Sequence, residues 1–142
     1  MTVHLIKLCA GAGGIEDLEE RIARSLTRNR KSGRGAVHIH ETRMFPRRRD
    51  ELLDGGSIYW VIKGVVLARQ RILGLDVFSD ENGVERCAIS LEPKTVQTDA
   101  QPRRAFQGWR YLKVEDAPRD LAPAEASAPQ ALRARLAELG LL

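Results

Sequence analysis

Two branched, apolar stretches joined by a four-residue turn constrain this chain more than any other feature. Val65–Phe78 carries Val66, Leu67, Ile72, Leu75 and Val77, and Val84–Leu91 alternates, with Cys87, Ile89 and Leu91 on one face and Arg86 and Ser90 on the other. Between them stands Asp80-Glu81-Asn82-Gly83, and Asn-Gly is a strong hairpin signal because both residues tolerate positive φ. The pattern predicts an antiparallel hairpin pairing Leu73–Phe78 with Val84–Ile89. Ser57–Lys63 (SIYWVIK) reads as a buried strand just before it. Val65–Phe78 is long for one strand, so a bend or bulge is expected near Gly64 or Gly74.

The rest of the chain fits around that sheet. Val3–Leu8 reads as a first buried strand, broken by Gly11-Ala12-Gly13-Gly14. Ile15, Leu18, Ile22 and Leu26 follow at spacings of three and four and predict an amphipathic helix. Its acidic residues come first (Glu16, Asp17, Glu19, Glu20) and its arginines last (Arg24, Arg28, Arg30), the order the helix dipole favours. Ala36–Met44 is a strand ended by Pro46, and Arg48–Asp54 a short helix stopped by Gly55-Gly56. Thr95–Thr98 is a short strand before the polar loop Asp99–Arg104, and Ala105–Val114 a last strand kinked at Gly108. Residues 116–130 have Pro/Ala-rich linker composition, and residues 131–142 form a helix with Leu132, Leu136 and Leu139 on one side. That stripe should dock on its own subunit or on a second copy, giving a homo-oligomer. A run of strands after a helix indicates a single α+β domain over residues 1–115, with a small, twisted, mostly antiparallel sheet curling into a barrel.

Composition excludes several classes. With 43% hydrophobic and 30% charged residues over 142 positions, the chain can fill a core, and it is not a disordered polymer. No apolar run approaches the roughly 20 residues of a membrane span. Lys7 interrupts the opening apolar stretch, unlike a secretory signal. Cys9 and Cys87 form no CxxC pair, so a reducing cytoplasm is the expected location. The net charge of +4 is unevenly spread. Residues 1–49 carry eleven Lys/Arg against five Asp/Glu, residues 50–100 five against nine, and residues 101–142 seven against five. Eighteen of the 23 cations are arginine, whose planar fork suits phosphate or carboxylate.

Motifs for chemistry are sparse. His38-x-His40 puts two imidazoles on one strand face at a zinc-like spacing, with His4, Cys9 or Glu41 available as a third ligand. Glu41 points to the opposite face of a regular strand, so no metal is expected. No base stands near either cysteine, and AGAGGIEDLEE fits neither a dinucleotide nor a Walker loop, so no cofactor is expected. Arg69 and Arg71 alternate onto one face, and Lys63 joins them if Gly64 introduces no bulge. Arg103-Arg104-Ala105-Phe106-Gln107-Gly108-Trp109-Arg110-Tyr111 interleaves basic and aromatic residues, the composition of a base-stacking, phosphate-gripping surface.

DELLDGGSIYWVIKGVVLARQRIL, RRAFQGWRYLKVEDAP and the opening HLIKLC resemble the bacterial family called domain of unknown function 1489, over nearly all of residues 2–121. That resemblance implies no activity. Glu41-x-Arg43, followed by a helix, a glycine, an apolar strand and a hairpin, is similar to the ASCH branch of the PUA-like barrels. Ala36 and His38 stand where that branch has glycine and lysine. The second resemblance implies a PUA-like barrel and tilts function toward RNA or modified nucleobases. The resulting reading is a non-enzymatic binding module for RNA or a nucleotide. Arg43, Lys63, Arg69 and Arg71 would line its concave face, Arg103, Arg104 and Arg110 would grip phosphates, and Trp109 would stack on a base. The rival readings are a small enzyme using Glu41 with His38 or His40 as acid–base groups, and a protein-interaction module built on the leucine stripe. The enzyme requires a closed pocket holding Glu41 within reach of a histidine.

Overall fold

The computed structural model describes residues 1–33, 37–104, 106 and 108–121. Its elements are β1 (His4–Leu8), α1 (Ile15–Lys31), β2 (His38–Thr42), α2 (Arg49–Leu53), β3 (Ser57–Ile62), β4 (Val65–Ser79), β5 (Glu85–Leu91), β6 (Val96–Pro102), β7 (Trp109–Leu112) and a short 3₁₀ turn at Val114–Asp116. The seven strands form one mixed sheet in the order β2-β5-β4-β3-β1-β7, with β6 also on β4. Among the described residues, only the β1–β3 pair is parallel.

β4 organises the molecule. Val65–Arg71 pairs with β3 on one edge, while β6 and then β5 run end to end along the other. The Glu92 N–H to Arg71 carbonyl bond, 2.9 Å, carries the ladder across the junction. The Asn82-Gly83 hairpin forms in the expected register, with Val77 opposite Cys87 and Leu75 opposite Ile89. Asp80 ties the turn, its carboxylate accepting from the backbone N–H of Asn82 and of Val84. The expected irregularity near Gly74 is a register shift between Ile72 and Gly74.

Gly64 does something different from bending a strand. Lys63 (φ 50) and Gly64 (φ 79) form a two-residue hairpin turn between β3 and β4. Lys63 therefore leaves the strand face it was expected to share with Arg69 and Arg71. β6 also runs further than Thr95–Thr98, because Thr98 and Ala100 bury against the sheet while Asp99 between them stays half-exposed. β7 is shorter than Ala105–Val114.

The register shifts bend the sheet until β2 lies over β1 and β3, where His40 meets the Trp60 ring edge-on at 5.2 Å. The sheet nevertheless stays open, and the expected closed barrel does not form. After Thr42 the chain leaves β2 through Pro46, which has no N–H to donate. The crossing segment is fixed to β7 by side chains instead of a ladder. Trp109 Nε1–H donates to the Met44 carbonyl, and the Tyr111 hydroxyl accepts from the Arg48 N–H.

Helix α1 buries Ile15, Leu18 and Ile22 against Leu5, Ile58, Trp60 and Leu67, forming the main core on one face. Each such fully buried aliphatic side chain contributes about 1.5–3 kcal/mol. A smaller cluster of Ile6, Tyr59, Val61, Val66 and Leu112 covers the other face, with Phe106 and Ala117 against it. Residues 116–121, the described part of the expected linker, lie along β6. Asp99 N–H donates to the Arg119 carbonyl and Leu121 N–H to the Gln97 carbonyl, both at 2.9 Å. The tail helix expected at residues 131–142 falls outside the described residues. No helix among the described residues is long and apolar enough to cross a membrane.

Candidate nucleic-acid interface

The open face of the smaller cluster carries a groove of about 660 Å³ lined by Arg103, Arg104, Phe106, Arg110 and Lys113, with Ile6 and Leu112 in its floor. β7 explains the arrangement. Its alternation turns Trp109 and Tyr111 toward the main core and leaves Arg110 with Leu112 on the groove side. Arg103 is anchored before any ligand arrives. Its N–H donates to the Gly64 carbonyl at 2.8 Å, and its guanidinium donates to Gln101 Oε1 at 2.7 and 3.1 Å. The Arg110 guanidinium lies 5.2 Å above the half-buried Phe106 ring. Four cations thus share one groove with the Phe106 ring and part of Tyr111, and Asp116 is the acidic residue in its lining.

The other expected site residues do not join them. Arg43 is exposed just beyond β2, and Arg71 is exposed on β4. Lys63 points toward the glycine loop, its side chain beside Gly13 and near Asp17. Arg69 is engaged elsewhere, donating to both carboxylate oxygens of Asp120 at 2.8 and 2.7 Å and to Ser57 Oγ at 3.0 Å. It lines a separate pocket of about 330 Å³ with His4, Tyr59 and Asp120. In that pocket His4 Nδ1 accepts the Ser57 N–H at 3.0 Å, which places the ring proton on Nε2. Burial, then the Arg69 charge, holds His4 below the usual histidine range, and the Arg69 hydrogen bond holds Asp120 below the usual carboxylate range.

Trp109 is a correction. It is only 6% exposed, packed in the main core with Tyr111 against it, and cannot stack on a base. Phe106 is the half-buried ring that lines the groove instead. Lys113 escaped the sequence reading because a strand running to Val114 puts it, three residues after Arg110, on the opposite face, whereas β7 ends at Leu112.

Glu41 and the histidines diverge. His38 is buried and His40 half-buried toward the sheet interior, while Glu41 is exposed on the outer face of β2. The acid–base pair expected of an enzyme is not assembled. Among the described residues no three His, Cys, Asp or Glu side chains group as metal ligands.

A family model described as a protein of unknown function (DUF1489) matches residues 5–142. Nothing among curated proteins or solved structures matches the chain.

Proposed function

Because the chain belongs to the DUF1489 family, whose description assigns no activity, we propose its function from the groove: it binds single-stranded RNA, with Arg103, Arg104, Arg110 and Lys113 on phosphates and Phe106 against a base. The observation that carries this reading is the convergence of those four cations in one groove with the half-buried Phe106 ring, which Arg110 overlies. Cationic tracks flanking an aromatic platform are what a single strand needs, because phosphates supply affinity and every base has a π-face to stack. The preset Arg103 guanidinium lowers the ordering cost of binding. The reading makes the protein a binding module that works in the cytoplasm, and leaves Arg43, Lys63, Arg69 and Arg71 outside the contact surface.

Fluorescence anisotropy with an unstructured oligoribonucleotide tests it. Three or four phosphate contacts give a log–log salt slope of about −2 to −3, from about 0.7 per contact on a single strand. The double variant R103A/R104A should flatten that slope by about one unit or more while melting normally. No binding at low salt, or a slope unchanged in that variant, overturns the proposal.

A further inference from the structure

On the sheet face away from the groove, Lys7 Nζ lies 2.6 Å from His40 Nε2. The pair sits in a pocket of about 170 Å³ walled by Leu18, Cys9, Arg21 and Trp60. Ile6 and Lys7 are neighbours on β1 and point to opposite faces, so this site is independent of the groove and of the RNA reading. No carboxylate lines the pocket among the described residues. Its polar inventory is an amine, two imidazoles, a thiol and the Arg21 guanidinium, whose Nη1 reaches Cys9 Sγ at 3.5 Å. A half-buried cation without a counter-charge is costly, and it either takes an anion or gives up its proton.

The constellation is held rigidly. His40 meets Trp60 edge-on at an interplanar angle of 88°. Trp60 Nε1–H donates to Gln70 Oε1 at 2.9 Å, and Gln70, fully buried, donates through Nε2 to the Glu92 carbonyl at 2.9 Å. Burial pulls the Lys7 amine below the usual lysine range. Burial, with the Lys7 and His38 charges, takes His40 down to about 3, so its ring is neutral and accepts at Nε2.

We propose that Lys7 is the amine of a covalent capture site for a short α-oxo acid, with Arg21 holding the carboxylate and His40 relaying protons. The ligand class follows from the chemistry present: the Arg21 guanidinium, with no carboxylate in the lining, calls for an acid, and an amine whose proton burial loosens is the group that attacks a carbonyl. At about 30 Å³ for each water-sized group, the pocket holds only a molecule of a few heavy atoms. The unprotonated fraction of Lys7 bonds through Nζ to the carbonyl carbon as the C=O π pair moves to oxygen. One N–H proton passes through His40 to that oxygen, giving the carbinolamine. The second N–H proton accompanies the departing hydroxyl, so imine and one water are the products and no redox partner is required.

The test is reductive trapping of the full chain with pyruvate and cyanoborohydride at neutral pH, read by peptide mass spectrometry. The four other lysines, Lys31, Lys63, Lys94 and Lys113, are exposed and serve as internal controls. Lys7 should carry the adduct at least about tenfold faster than any of them, since the pocket holds the acid against its amine and none of the exposed lysines has such a site. Propanal, which lacks the carboxylate, should lose most of that selectivity, and Arg21→Gln should lose it with pyruvate. His40→Gln, checked by melting, should slow trapping at Lys7. Equal labelling of all five lysines, or a Lys7 rate indifferent to Arg21→Gln and His40→Gln, overturns the proposal.

Discussion

Trp109 donates its indole N–H to the Met44 carbonyl at 2.9 Å, joining residues 65 apart in the chain. That bond and the ring's burial stand where a barrel would have continued its ladder. Trp109→Ala removes a core ring and leaves the carbonyl without its donor, so it should cost about 3–5 kcal/mol. Urea denaturation measures it, and any folded fraction should bind RNA as the parent chain does.

Gln70 is the buried polar hub of the molecule. Its Oε1 accepts from Trp60 Nε1 and faces His38 Nδ1 at 3.2 Å, while its Nε2 donates to Glu92. Gln70→Leu strands a buried indole N–H and a carbonyl, each costing about 1–3 kcal/mol. Denaturation should show a loss of about 2–5 kcal/mol, with a matching change in the near-ultraviolet signal of Trp60.

How much of this was legible in the sequence depends on which signal was local. The Asn82-Gly83 hairpin was, because its turn chemistry and flanking alternation agree, and so was α1, whose apolar spacing matches its buried face. Lys63-Gly64 was hidden because β3 and the first residues of β4, Val65 to Ala68, are buried on both faces and show no alternation to break. Trp109 misled for a related reason. In a four-residue strand, interleaved arginine and aromatic residues describe a wet surface and a core edge equally well, and the Met44 contact that decides between them is long-range. Lys7 looked like a lone charge in an apolar strand, and only the fold of β2 over β1 brings His40 to it.

Glycines divide sharply in what a methyl group would meet. At Gly56 an added Cβ would stand 2.5 Å from the Val3 carbonyl oxygen and closer still to that of Leu52. Both obstacles are backbone atoms, so Gly56→Ala should cost at least the ~1–3 kcal/mol of overpacking, or prevent folding. At Gly83 the space is open and only the positive φ (+74) opposes a side chain, so Gly83→Ala should cost about 1–2 kcal/mol. Thermal melts of the two variants should rank in that order.

Three histidines set the acid response. His4, His38 and His40 all have pKa values below the ordinary histidine value of 6.5, chiefly through burial, and His40 is at about 3. Below pH 6.5 the unfolded chain takes up these protons and the folded chain does not, so stability should fall as pH drops from about 6.5 toward those lowered values. Asp120 acts in the same direction at lower pH. Its depressed pKa contributes stability above the unfolded carboxylate value near 3.9, and that contribution is lost as pH falls through the folded value. Half-exposed as it is, the Asp120 pair with Arg69 is worth at most about 1 kcal/mol. Urea midpoints between pH 7.5 and 4 should slope accordingly, and His40→Gln should flatten the slope.

Phe106 and Arg110 separate stacking from charge within the groove. If a base packs on the ring, Phe106→Ala should weaken RNA binding by about 1–3 kcal/mol and leave the salt slope unchanged, since no phosphate contact is lost. Arg110→Gln should do both things in part. It removes one cation, flattening the slope by about 0.7 on a single strand, and it removes the guanidinium 5.2 Å above the ring. Substituting both residues should therefore cost less than the sum of the two single losses, because the guanidinium and the ring shape one surface. Additive losses would mean that Arg110 acts only as a point charge and that the ring meets the base alone. A Phe106→Ala variant that binds normally would remove the base from the groove and leave a purely electrostatic contact with the phosphate chain.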